Sequence, residues 1–135
     1  MFFTFDGAQS IHVPFPFQRV MTPYMMPDTA SCPIDFSVHM TELQPGAIVD
    51  EHIHKDGMEA MYCLSGRGSA TVGDETYDFT PDSMVAAAPN EKHGLKNTGD
   101  QPMRMLCIFS PPVTADFLRK RASASMEEYA RSQKK

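Results

Sequence analysis

Gly46-Ala-Ile-Val-Asp-Glu-His52-Ile-His54-Lys-Asp-Gly-Met-Glu59-Ala-Met-Tyr-Cys-Leu-Ser-Gly66, answered further on by Pro89-Asn-Glu-Lys-His93-Gly-Leu-Lys-Asn97, is the stretch whose reading organises the rest of the chain. Three histidines, His52, His54 and His93, and the carboxylate of Glu59 are together enough to ligate a single divalent metal ion. His52 and His54 are two residues apart, so on a β-strand their side chains share a face. Lys55-Asp56-Gly57 can turn the chain back and set Glu59 on the neighbouring strand. An imidazole and carboxylate set suits Fe, Mn, Ni, Co or Zn better than Ca or Mg. The alternative is a group of polar residues that lines a barrel and never holds metal.

Outward from that stretch the pattern stays that of short strands. Phe36-Ser-Val-His-Met-Thr-Glu-Leu43 alternates, with Phe36, Val38 and Met40 on one face, which leaves His39 out of phase and expected at the surface or in an interface. Strands are expected over 47–54, 59–64, 68–72, 75–79, 83–88, 93–97 and 103–109, separated by turns rich in Gly, Pro, Asn and Asp. Such a series predicts a sandwich or barrel. Residues 1–35, rich in Phe, Met and Pro, read as an irregular arm with short edge strands that packs Phe15, Phe17 and Met21. Pro111-Pro112 stops the last strand, and a short helical tail is expected over 114–121 and 125–132, its second part opened by the capping box Ser125-x-x-Glu128.

With 135 residues, 41% hydrophobic and 21% charged, the chain reads as one domain, 1–135, made of an arm (1–35), a barrel core (36–112) and a helical tail (113–135). No apolar run approaches membrane-spanning length, and the start Met1–Asp6 is a poor signal peptide, so the expected location is the cytoplasm. Cys32, Cys63 and Cys107 are odd in number and far apart, which argues against a disulfide framework; Cys63 and Cys107 sit in apolar runs as small buried hydrophobes. Six Lys/Arg and two Glu give residues 119–135 a charge of +4, so a net charge of −5 leaves −9 for the rest. An acidic body disfavours nucleic acid, whose binding depends on neutralising phosphates.

These residues resemble the cupin superfamily. Its first motif runs Gly, five residues, His-x-His, three or four residues, Glu, six residues, Gly, and Gly46, His52, His54, Glu59 and Gly66 fill every position. Its second motif usually opens with Gly-Asp and carries Pro-x-Gly-x-x-His-x-x-x-Asn. Here Pro81-Asp82 and Ala88-Pro89-Asn90 depart from it, while His93 and Asn97 hold their places and Asn90 can adopt the left-handed conformation of the missing Gly. The resemblance covers about residues 36–112. It implies an all-β double-stranded β-helix, a jelly-roll barrel, with one metal bound inside by His52, His54, Glu59 and His93: Fe(II) first, with Mn, Ni, Co or Zn as alternatives. It also implies a small-molecule substrate and a homodimer, in which the apolar arm is expected to cross to the partner barrel and cover an edge strand.

Around that site the candidate residues are less sharply marked. If Glu59 points inward, period two puts Met61 and Cys63 inward and Tyr62 outward. Asn97 shares a face with His93 and Leu95, so it either hydrogen-bonds near the site or ties off a turn. Tyr24, within Met21–Met26, is a candidate for a lid over the barrel mouth. Arg67, Arg104 and Lys96 are candidates to recognise a substrate carboxylate, or plain surface charges. The eleven methionines are core fillers or the lining of an adaptable apolar pocket.

Three functions follow. The first expectation is a mononuclear non-haem metal dioxygenase acting on a small molecule chelated to the metal, with Glu59 in the catalytic set, because the ligand set resembles that of cupin dioxygenases. The second is a metal-dependent lyase or isomerase working through an enolate-type intermediate. In some such cupins a Tyr two residues after the Glu serves as base, a place held here by Met61. The third is a non-catalytic module that binds a small ligand.

Overall fold

A computed structural model of the chain describes residues 2–4 and 7–135. The signal-peptide expectation therefore falls partly on Met1, Phe5 and Asp6, outside the described residues. Among the described residues the strands are β1 (Ile11–Val13), β2 (Arg19–Met25), β3 (Ser37–Leu43), β4 (Ile48–His52), β5 (Met58–Ser65), β6 (Gly68–Val72), β7 (Glu75–Phe79), β8 (Met84–Ala87), β9 (His93–Asn97) and β10 (Met103–Ser110), followed by helix α1 (Ala115–Ser132). They form two antiparallel sheets, ordered β1-β2-β3-β10-β5-β8 and β4-β9-β6-β7. This is the all-β double-stranded β-helix that the turn-punctuated pattern and the motifs implied.

Alternation along β5 and β10 sets the inside of the barrel. Glu59, Met61 and Cys63 on one, and Met103, Met105, Cys107 and Phe109 on the other, are buried, while Ala60, Tyr62, Leu106 and Ile108 between them are partly buried and Arg104 is exposed. One apolar cluster then joins the sheets, with Leu43, Met61, Cys63, Met103, Met105 and Cys107 from the larger meeting Ala70, Phe79 and Leu95 from the smaller. Cys63 and Cys107 are buried and Cys32 is exposed, all three as free thiols.

The chain enters and leaves β5 through tight geometry. Gly66 has φ +83°, and a Cβ there would stand 2.7 Å from Met103 Cα and 2.8 Å from Pro102 O. Both the left-handed backbone and the contact with a neighbouring strand's backbone exclude a side chain. Gly66→Ala is expected to cost about 1–2 kcal/mol, read as a lower urea midpoint at unchanged slope; a midpoint equal to that of the parent would contradict this account.

Three sequence expectations are corrected. In β3 the inward set is Ser37, His39, Thr41 and Leu43, while Phe36 is 46% exposed. The cause is pairing: His39 lies opposite Cys107 and Thr41 opposite Met105. Directly opposed residues share a face, so the strong inward alternation of β10 decides the phase of β3. The arm is also more regular than expected. β2 is seven residues long and pairs with β3, and a register shift between Pro23 and Met25 accommodates the missing Pro N–H.

The tail, finally, is one helix rather than two. Its N-cap is Thr114, whose Oγ1 accepts from Phe117 N at 3.0 Å, while the Asp28 carboxylate accepts from Ala115 N at 3.2 Å. Ser125 caps nothing. It is buried in mid-helix, where its hydroxyl bonds Arg121 O at 3.2 Å and the Asp50 carboxylate at 3.1 Å.

α1 packs on the arm. Val13, Phe17, Met21 and Met26 form a second apolar cluster with Leu118 and Ala122, and the Phe17 and Tyr129 rings meet edge-on at 5.9 Å. The arm thus folds onto its own chain's helix and sheet. No helix among the described residues is long and apolar enough to cross a membrane.

Candidate metal centre

Four side chains converge where β4, β5 and β9 meet. His52 ends β4 and lies opposite His93, the first residue of β9. His54 lies two residues beyond the end of β4, held there because its carbonyl accepts from Asn90 N at 2.7 Å. Asn90 makes that turn with φ 65°, the left-handed conformation expected of it. Glu59 enters from β5, buried beside Phe109.

One ligand atom from each of His52, His54, Glu59 and His93 lies within 4.8 Å of all the others. Glu59 Oε2 is 3.0 Å from both His54 Nε2 and His93 Nε2, and the Nε2 atoms of His52 and His54 are 3.1 Å apart.

Hydrogen bonds to the backbone decide what these atoms are. His52 Nδ1 is 2.7 Å from Asp50 O, and His93 Nδ1 is 2.9 Å from Glu91 O. A carbonyl only accepts, so both Nδ1 atoms carry the proton and donate, which turns a bare Nε2 lone pair inward in each neutral ring. Lone pairs on imidazole nitrogens and a carboxylate oxygen about 3 Å apart repel unless a proton or a metal cation lies among them. Backbone carbonyls that orient ligand imidazoles in this way are the usual outer partners of a metal site. The residues present therefore fit one transition-metal ion, and the group could hold one.

The electrostatics of Glu59 and His52 agree, while His93, without a cation beside Glu59, is drawn toward its protonated form. Burial alone would raise the Glu59 carboxyl, but the close contacts with the His54 and His93 imidazoles outweigh it and hold it far below the carboxylate range. Burial pushes His52 down to about 4, with Arg121 adding to the effect, so the ring is neutral near pH 7. Burial also lowers His93, yet the Glu59 contact and the Glu91 carbonyl outweigh it and the net shift is upward. An ionised carboxylate beside neutral imidazoles is the state that binds metal.

These groups line a cavity of about 50 Å³. Met61 lines it as expected of an inward residue, with Met21 and Met105, while Met26 and Met103 fill the dry cores. Phe117, Leu118 and Arg121 of α1 form part of its wall. Arg121 is fixed there by the Asp50 carboxylate at 3.0 Å and by a hydrogen bond to Ser125 Oγ.

Three other candidates lie elsewhere. Cys63 is in the apolar core with its thiol toward Ser65 O. Asn97 is fully buried; its Nδ2 donates to Leu43 O and Gln101 O and its Oδ1 accepts from Gly99 N, so it ties off a turn. Tyr24 lines a separate surface pocket with Arg119. Tyr62 faces outward and bonds Asp82. Arg67, Arg104 and Lys96 are exposed, Arg104 beside Glu42 at 3.8 Å.

The cavity cations are instead Arg19 and Arg121, and His39 and Thr41 also line it. Arg19 was legible only as a charged residue in the alternation Phe17, Arg19, Met21. His39 was hidden by the wrong phase for β3. It is 3% exposed, stacks on Phe109 at 5.8 Å, and its Nδ1 has no hydrogen-bond partner among the described residues.

Burial holds His39 down to about 4, from an ordinary value of 6.5. Between those values the unfolded chain takes up a proton that the folded chain refuses, so stability is complete above pH 6.5 and falls as pH drops toward 4. His39→Leu is expected to remove about 2–3 kcal/mol of the stability lost between pH 7 and pH 4.5, measured by urea unfolding. Parallel pH profiles for parent and variant would contradict it.

Comparison with known proteins adds a family and a set of relatives. The model of the family described as Cupin domain matches residues 39–109. The L-ectoine synthase of Hyphomonas neptunium is 40% identical over 81 residues, covering 58% of this chain and 59% of that protein. The chain spans 59–62% of the length of the curated relatives it matches. The crystal structure of ectoine synthase from P. lautus superimposes with a TM-score of 0.66 at 28% identity, covering 80% of this chain and 75% of that one. KdgF from Halomonas sp. shares the fold, with a TM-score of 0.72 at 16% identity over 87% of this chain and 97% of that one.

Proposed function

The chain belongs to the cupin family, and from that premise we propose that it is a metal-dependent enzyme performing lyase-type chemistry on a small organic molecule, as a relative of proteins named L-ectoine synthase. The observation that carries this is the convergence of His52, His54, His93 and Glu59 on one point of the cavity. A divalent ion bound there would supply Lewis acidity to a substrate oxygen, and Fe(II), Mn, Ni, Co and Zn all suit the donor set. The chain's own residues do the rest. Asp50 O and Glu91 O keep the lone pairs of His52 and His93 turned inward. Glu59 contributes the negative charge, and Phe109, Phe117 and Leu118 exclude bulk water, which strengthens every charge interaction inside.

The ligand set taken alone favours the dioxygenase, since three imidazoles and a carboxylate accommodate redox-active iron. The relatives named L-ectoine synthase favour the lyase. One assay separates them: the purified protein is offered the substrate of L-ectoine synthase in air and under nitrogen. Turnover that is equal in both supports the lyase. Oxygen uptake matched to turnover would replace it with the dioxygenase, and binding without turnover with the non-catalytic module.

The homodimer belongs to the same proposal. Exposed Leu64 and Met84 beside Tyr62, on the outer face of β5 and β8, support an interface made by the sheet rather than by the arm. A solution mass of 15.0 kDa would contradict it.

A further inference from the structure

The cavity holds a buried positive charge that, among the described residues, feels the Asp50 and Glu59 carboxylates only from beyond ion-pair distance. Arg19 is 4% exposed, and among the described residues its one side-chain hydrogen bond is from Nη1 to Phe17 O at 3.2 Å. No carboxylate lies within ion-pair distance of it among those residues, although a guanidinium carries five donors. The other charged groups of the cavity are committed: Arg121 to Asp50 at 3.0 Å, and Glu59 to His54 and His93. A desolvated cation with no close counter-ion is unfavourable unless an anion joins it. A second group is also short of a partner, since His39 lines the same cavity and its buried Nδ1 has no hydrogen-bond partner among the described residues. Between them and the histidines the lining is largely apolar, with Met21, Val49, Met61 and Met105.

We infer that the cavity takes a small molecule bearing a carboxylate on a short apolar stem, with the carboxylate paired to Arg19 and hydrogen-bonded by His39 Nδ1. The inference deepens the proposed function and rests on it only for the end of the substrate that reaches His52, His54, Glu59 and His93. A planar guanidinium pairs with a carboxylate through two parallel N–H donors. Neutral His39 donates from Nδ1 in the tautomer that carries the proton there. Burial lowers Arg19 only to about 10, so it keeps its charge near pH 7. Arg19 and His39 are thus specificity residues, and the amide of the same acid should be rejected.

The test compares butyrate with butyramide on the protein as purified, by calorimetric titration, with metal content measured in every sample. Butyrate is expected to bind about tenfold or more tightly than butyramide. Arg19→Met should erase that preference and the surface control Arg67→Met should leave it intact. In the parent protein the side-chain Nε–H resonance of Arg19 should move on addition of butyrate, which decides the matter even if Arg19→Met fails to fold. Equal affinity for acid and amide, an unmoved Arg19 resonance, or a preference that survives Arg19→Met would each overturn the inference. A sample without metal that still shows the Arg19-dependent preference would sustain it while removing the metal-dependent reading.

Discussion

Glu59→Ala is expected to lower metal affinity by more than about 100-fold and to bring turnover to background. The size follows from comparison with outer partners, whose loss alone typically costs 10–100-fold in affinity. Glu59 is the one anionic donor of the group, and its Oε2 stands 3.0 Å from two imidazole nitrogens, so no neighbour can take its place. Glu59→Gln keeps the shape and loses the charge. It should fall almost as far, because the ion would then face three neutral imidazoles and an amide. Glu42→Ala serves as the control, since Glu42 lies away from the site, beside exposed Arg104 at 3.8 Å and Gln44 at 3.4 Å. Metal retained at the parental level in Glu59→Ala would remove this residue from the site.

The second large effect is expected at the helix. Leu118→Ala should cost about 3–4 kcal/mol, because it deletes a buried aliphatic side chain between two packed layers and leaves a void. Leu118 is 3% exposed and packs in one cluster with Val13, Phe17, Met21 and Met26 of the arm while also lining the cavity beside His52, His54, Glu59 and His93. For a chain of 135 residues that corresponds to a fall of about 10–14 °C in the thermal midpoint. Leu64→Ala, at a side chain 39% exposed on the outer face, should change it by less than about 2 °C. Equal midpoints for the two variants would mean that α1 is not part of the cooperative fold.

Much of the molecule was legible because its chemistry is local. The strands around Glu59 and His93 could be read from period-two alternation, and the turns from Gly and Asn that tolerate a positive φ, as Asn90 does at 65°. The convergence of His52, His54, Glu59 and His93 followed from spacing and from a motif. What escaped depends on distant partners. The phase of β3 is set by β10, more than sixty residues away, so the burial of His39 could not be read from its own neighbours. The single helix depends on the Asp50 carboxylate, which occupies the hydroxyl of Ser125 that local rules assign to a cap. Arg19 escaped because a lone charge in a proline-rich arm reads as solvated. The barrel that encloses it is assembled from strands throughout the chain.

X-ray absorption spectroscopy at the metal edge of the purified protein tests the centre most directly. The account predicts about one ion per chain with a shell of nitrogen and oxygen at about 2.0–2.2 Å and the outer scattering of imidazole rings. A protein that takes up no transition metal, or a shell containing sulfur from Cys32, Cys63 or Cys107, would contradict it.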